Sequence, residues 1–377
     1  MRRLTPFRWL VLAAVLVAGA SLTGVKTTEA TVTTIGPDDS ITDTIAGAFA
    51  GSTIILSEGT YYEEVVVTTV ASQNITVKGA NSNVVIRPPV EGSDIKPATS
   101  SCAGLSVGIC ISFSTNFTFK QITVAGFDVG VGIVRSDMIR VEDVRALDNG
   151  LGGIIVYDSE DTTLYRNVTN HSGSSIFGIL ALESNYSEIR LNRTERSAIG
   201  IAIARSPYSE VVSNTARNNC AGIVAIETTS VAINGNTSHD NTAECNLDFD
   251  AIFDAGATLA GEPDAGTSDS TSYLFSGIGI LVSGSENLEI RRNSLTGNRS
   301  AFVSPTQQVI VPFGGIVVTD LVGGNSNLLI AANFLRRNYV DIHLDGFPVD
   351  STGKQNRCRS SVQSIPAGFC NFVTASP

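Results

Sequence analysis

The sequence predicts an all-β fold: a single-stranded right-handed parallel β-helix, a solenoid closed at its amino end by a cap helix. Three observations predict it. Short apolar segments start at Gly132, Gly153, Gly178, Gly200, Gly222, Gly279 and Gly315, at spacings of 21, 25, 22, 22, 57 and 36 residues. From Gly153 on they read GIIVYDSE, GILALESN, GIAIARSP, GIVAIETT, GILVSGSE and GIVVTDLV, short β-branched runs without helical periodicity. Eleven residues after the glycine stands an apolar residue (Leu164, Ile189, Val211, Ile233, Ile290), and three further on an asparagine (Asn167, Asn192, Asn214, Asn236, Asn293). A period near 22 built from strands too short to fold alone marks a solenoid whose coils stack about 4.8 Å apart. Asparagines in register can pass amide hydrogen bonds from coil to coil, which gives that column a structural role. The right hand follows from the chirality of parallel crossovers.

The elements follow in chain order. Residues 1–20 carry Arg2, Arg3 and Arg8 before an apolar run from Trp9 to Ala20 that ends in Ala18-Gly19-Ala20, the layout of a cleaved signal peptide. Residues 21–30 are a linker. Residues 31–110 hold the cap and first coils: SITDTIAGAFA from Ser40 reads as a short amphipathic helix with Ser40 at its N-cap, followed by the strand-like TIILSEGTYYEEVVV and NITVKGANSNVVIRP. Residues 111–350 are the repeats, interrupted by an insertion at 242–272, and residues 351–377 form the C-terminal cap. A helix over the open end covers apolar core and blocks edge pairing.

Composition narrows the function classes. The formal charge of −11 falls to about −14 once the three leader arginines are removed, so an exported, acidic chain is expected to bind no nucleic acid. No later segment holds 18 unbroken apolar residues, so no membrane span is expected, and a secreted or cell-surface monomer is the reading. Six cysteines in an exported chain make disulfides, and of the 15 pairings six cysteines allow, spacing favours Cys102–Cys110, Cys220–Cys245 and Cys358–Cys370. Zinc is disfavoured, because there is no C-x-x-C and only His171, His239 and His343. Eight N-x-S/T sequons, three of them in the asparagine column, reflect the Asn, Ser and Thr content of the turns.

The lead-in SEGTYYEEVVV…ITVKGAN, the segment CAGLSVGICI, the Gly-Ile…Asn units and the tail NRCRSSVQSIPAGFC resemble secreted right-handed β-helix repeat proteins of the pectin-lyase-like superfamily, over about residues 31–370. The resemblance implies the right-handed fold. It implies no single activity, since that superfamily holds polysaccharide lyases, hydrolases, esterases, epimerases and non-catalytic surface proteins. Arg205-Ser-Pro-Tyr-Ser-Glu210 begins like the R-x-P-x-x-R stretch of pectate lyases, but Glu210 replaces the second arginine. The Gly-His-Gly, Gln-Asp-Thr and Asp-Pro-His-Asp signatures are absent, so no complete catalytic set transfers.

Two groups of residues can carry chemistry. The sixth position of each unit reads Asp137, Asp158, Glu183, Arg205, Glu227, Gly284 and Asp320, one ladder of side chains on one face. Asp158, Glu183, Arg205 and Glu227 are the catalytic candidates: neighbouring carboxylates can act as acid and base across a glycosidic bond, or hold Ca²⁺ against uronates. The plainer reading is a solvated ion-pair network in which Arg205 stays charged between two glutamates. Tyr157, Tyr186 and Tyr208 are expected to be exposed sugar-stacking residues, the last two on successive rungs. In the insertion, Asp248, Asp250 and Asp254 are the metal candidates, although a plain acidic surface loop is the favoured reading, since the EF-hand glycine and terminal Glu are missing. The functional expectation is an exported protein that binds extracellular or cell-wall polysaccharide along its lateral face. A polysaccharide lyase or hydrolase, and a non-catalytic structural or adhesive protein, are the alternatives.

Overall fold

A computed structural model describes residues 29–68, 74–89, 102, 105–248, 250–262, 272–300, 313–345, 350–359 and 368–372. The expected signal segment lies outside the described residues. Within them the chain is a right-handed parallel β-helix whose coils pass through three strands, as in Ala221–Ile226, Ala232–Asn234 and Thr237–His239. The middle strands of the coils stack into a 12-stranded parallel sheet. The other two sides form one 20-stranded sheet, because Val168–Leu182 and Arg193–Ala204 run unbroken through the corner between them.

Side chains alternate, so every six-residue strand sends two residues into the bore and others outward. Ile179 and Ala181, Ile201 and Ile203, and Ile223 and Ala225 stack inside the bore, in a core cluster that runs from Ile35 to Cys358. The outward residues Leu180, Ala202 and Val224 are also buried, in a second apolar cluster on the outside of the same sheet. These strands are therefore apolar on both faces, which is why the sequence shows runs there rather than alternation.

The corners are made by polar ladders and by backbone in the left-handed region. Asn192 N donates to Asn214 Oδ1, Asn214 N to Asn236 Oδ1 and Asn236 N to Asn293 Oδ1, at 2.8, 2.8 and 2.9 Å. Each side-chain amide also donates inward to a carbonyl, as Asn214 Nδ2 does to Ile189 O at 2.8 Å. A second asparagine ladder (Asn219, Asn241, Asn298, Asn338) turns the third corner the same way. The first corner uses hydroxyls: Ser114 N donates to Ser136 Oγ, Ser136 N to Ser159 Oγ and Ser159 N to Ser184 Oγ. The sequons at Asn167, Asn192, Asn236 and Asn298 are thus interior residues.

One expected register needs correction. The structure pairs Gly132 with Ile155, not with Gly153, so Gly130 is the true counterpart and the 130 coil is displaced by two residues. Val129-Gly130-Val131-Gly132 offers two glycines, and the pairing is decided by the inward stack of Val131 and Ile133 on Ile154 and Val156.

At the amino end, helix α1 (Ile41–Ala46) buries Ile41 and Ile45 over the bore and stops at Gly47, shorter than the sequence suggested. Ser40 is the N-cap, its Oγ accepting from Asp43 N at 3.1 Å. The Glu63 carboxylate closes the remaining first-turn donors, accepting from Ile41 N and Thr42 N at 2.8 and 2.9 Å. All three expected disulfides are formed.

The asparagine ladder gives a stability test. Replacing Asn214 by Ala strips Asn192 N and Ile189 O of their partners in a site water does not reach. The expected loss is on the order of 3 kcal/mol, read as a lower denaturation midpoint at unchanged slope, against under about 0.5 kcal/mol for the exposed Lys354→Ala.

Candidate functional site

The site is a ridge along the first corner, where each coil leaves its six-residue strand. Its first column is Phe113, Arg135, Asp158, Glu183, Arg205 and Glu227, with φ between 44° and 51°. Left-handed backbone turns these side chains away from the coil, so all of them project outward. Arg135, not the expected Asp137, takes the place next to Asp158. Asp137 falls two residues later, in a bridge with Glu160, which bridges in turn to Asn185.

The column holds two ion-paired groups that meet at two neighbouring acids, Asp158 and Glu183. Arg135 Nε lies 3.2 Å from Asp158 Oδ2, and Arg205 spans its neighbours, with Nε 2.7 Å from Glu227 Oε2 and Nη1 3.4 Å from Glu183 Oε1. Burial alone would pull the Arg205 pKa down, but the hydrogen bonds and charges of Glu227 and Glu183 hold it above the ordinary arginine value. Arg205 is therefore a permanent cation, unfit to accept a proton. With Asp158 54% and Arg205 44% exposed, such pairs contribute about 0–1 kcal/mol each.

The insertion is built differently from the surface loop the sequence suggested. Cys245–Asp248 and Ser272–Phe275 pair antiparallel, and helix α2 (Asp250–Ala260) lies on the outside of the six-residue strands. Ile252, Ala255 and Leu259, at helical spacing, close the outer apolar cluster, and that spacing was the available signal for the helix. Gly256 sits directly on Tyr157 and Leu182: a Cβ there would stand 2.5 Å from each ring or methyl carbon. Phe253 lies 3.8 Å from the Arg205 guanidinium, and Glu262 pairs with Arg135. The insertion therefore runs beside the ladder and touches both of its arginines, Arg205 through Phe253 and Arg135 through Glu262.

Tyr157 is consequently not exposed. It is 8% exposed beneath α2, and its hydroxyl donates to Glu262 Oε2 at 3.2 Å. Burial, with the charges of Glu183 and Glu262, pushes its pKa up to about 12. The side chains of Asp248 and Asp250 lie outside the described residues, and Asp254 is exposed; among the described residues no three His, Cys, Asp or Glu side chains are grouped to hold a metal.

The other two tyrosines stand where expected. Tyr186 and Tyr208 occupy the second column of the ridge, also left-handed, with ring centroids 5.3 Å apart and planes 14° from parallel. They are 52% and 54% exposed. Beside them an open cleft of about 450 Å³ is lined by Arg135, Asp137, Asp158, Glu160, Glu183 and Asn185.

Two measurements check this geometry. The Tyr157 phenol should ionise near pH 12, apart from the exposed tyrosines, in an ultraviolet titration, and Glu262→Ala should lower it. Because the folded state keeps a proton the unfolded chain loses near pH 10, this group's stabilisation is complete below pH 10 and declines as pH rises towards 12. Gly256→Val should lift α2 from the sheet, read as faster amide exchange in 250–260 while the coils stay protected.

The chain is similar to the A-module of mannuronan C-5 epimerase AlgE4 from Azotobacter vinelandii, at 14% identity over 89% of this chain and 92% of that one, with a TM-score of 0.50. It is similar to the catalytic domain of a GH87 α-1,3-glucanase at 9% identity over 94% of this chain and 69% of that one, also with a TM-score of 0.50. At these identities the likeness shows the shared β-helix fold alone. No curated protein matches the sequence. A family profile does match, over residues 48–254, more than half of the chain and most of the coils just described. The chain belongs to the family described as periplasmic copper-binding protein (NosD).

Proposed function

We propose that this is an exported protein that binds polysaccharide on the first-corner ridge, with Tyr186 and Tyr208 as its contact residues. The observation that carries the reading is the tyrosine pair: two half-exposed aromatic rings stacked on adjacent coils beside a polar cleft. Rings of this kind offer sugars a flat C–H-binding face with a polar edge. Export is supported by three disulfides and by the periplasmic family. A saccharide partner is supported by the fold's occurrence in a mannuronan epimerase and a glucanase.

Binding is favoured over catalysis because the ladder's carboxylates are engaged in ion pairs, Asp158 with Arg135 and Glu183 and Glu227 with Arg205. Arg205 is locked as a cation, and Tyr157 holds its proton beneath α2. The copper in the family's description does not fit the described residues. The cysteines are all oxidised; His239 pairs with Asp240, His343 with Asp345, and His171 is buried alone, so the nitrogen and thiolate donors a copper site needs are scattered or spent.

The test is capture of the mature protein on pectin, alginate, xylan, mannan and galactomannan, with Ca²⁺ or with chelator, alongside a reducing-end assay. Binding should appear without product, and Tyr208→Ala should weaken it roughly threefold to tenfold. Product release that disappears in Glu183→Gln would instead make the ladder an active site, and absence of binding to every polymer would remove the reading.

A further inference from the structure

The tyrosine pair is stacked, so the faces between the two rings are spent on each other. Only the two outer faces are open. That of Tyr186 looks onto Asp161, the exposed residue in the same column one coil earlier. That of Tyr208 looks onto Ser230, and beyond it onto Asn287. The register is fixed by backbone bonds: Tyr186 N donates to Pro207 O, Tyr208 N to Thr229 O and Ser230 N to Glu286 O. The column therefore runs Tyr186, Tyr208, Ser230, Asn287, with φ of 53°, 59°, 56° and 57°.

Ser230 thus stands where a third ring of the stack would be. Its side chain is too short to fill the place, which leaves a notch about 9.6 Å long between the Tyr208 and Asn287 positions, two coil spacings. One wall is the open Tyr208 face. The floor is the Ser230 hydroxyl, and the far wall is the Asn287 amide, whose Oδ1 accepts from Asn327 and whose N–H groups remain unused among the described residues. Glu286, exposed and bridged to Thr229, lies at the side.

We infer that this notch is a subsite for one uncharged pyranose residue, which enters the column as its missing ring. The inference rests on the polysaccharide reading above and deepens it. An apolar wall opposite donors and acceptors suits a ring with one C–H face and several hydroxyls. The Glu286 carboxylate accepts from sugar hydroxyls and repels a uronate. The ring planes of the stack lie across the solenoid axis, so a sugar seated among them also lies across it. Its glycosidic neighbour must then leave outward from the ridge, so the residue recognised is a chain end or a single-sugar branch, not the interior of a strand running along the coils.

Ser230→Tyr tests this, since the same corner already holds tyrosine in the two preceding coils and the fold accepts it. Galactomannan, whose galactose branches are single uncharged sugars, and unbranched mannan serve as probes for the wild type, Ser230→Tyr and Tyr208→Ala. The expected result is that galactomannan binds more tightly than mannan, that Ser230→Tyr loses tenfold or more, and that Tyr208→Ala loses threefold to tenfold, both at an unchanged melting transition. If Tyr208→Ala weakens binding while Ser230→Tyr leaves it equal or tighter, the notch is overturned and the ridge reading stands. Equal affinity for the branched and unbranched polymers also overturns the notch. Binding unaffected by either variant overturns both readings, as does failure of every polymer to bind.

Discussion

The rest of the structure depends on one interaction, the hydrogen bond from a corner residue's backbone N–H to the side-chain oxygen of its equivalent in the next coil. A chain turning inward three times per coil buries peptide groups that no strand pairing can satisfy. Asn192, Asn214, Asn236 and Asn293 satisfy them with one oxygen that accepts and one amide that reaches a carbonyl deeper in the bore. The serine column does the same with hydroxyls at the first corner. These ladders hold coil on coil in register, and register decides everything that lies outside the bore.

Register explains how much of the fold could be read in advance. Where a coil holds one glycine and one asparagine at fixed spacing, as at Gly178, Gly200 and Gly222, the sequence and the pairing agree. At Gly130 and Gly132 two glycines compete, and only the inward stack of Val131 and Ile133 chooses between them. That two-residue shift replaced Asp137 by Arg135 in the ladder and gave Asp158 a cationic neighbour in place of an acidic one. The serine ladder was visible in principle, since Ser136, Ser159, Ser184 and Ser206 each follow the outward residue directly. The burial of Tyr157 was not, because it is imposed by an insertion a hundred residues away in sequence.

That insertion changes the character of the lateral face. An open side with alternating polar residues would leave a groove along the six-residue strands, but Leu180, Ala202 and Val224 point outward and are apolar. Such a face must be covered, and over the earlier coils α2 covers it with Ile252, Ala255 and Leu259. The helix then touches the ladder at both arginines, so the charges at Arg135 and Arg205 belong as much to the insertion as to the repeat.

On the side that α2 covers, the first corner is the part left open to carry recognition. Inward positions are fixed by the bore, outward positions of the long strands by α2, and corner donors by the ladders. The left-handed residues between them stack through the backbone, and their side chains meet from coil to coil only at the surface, in half-exposed ion pairs and ring contacts. Phe113, Met138, Tyr186 and Tyr208, each about half exposed, all occupy such positions. Large apolar side chains held outward at left-handed backbone, where an asparagine or glycine would cost less, are a departure from what the coil needs.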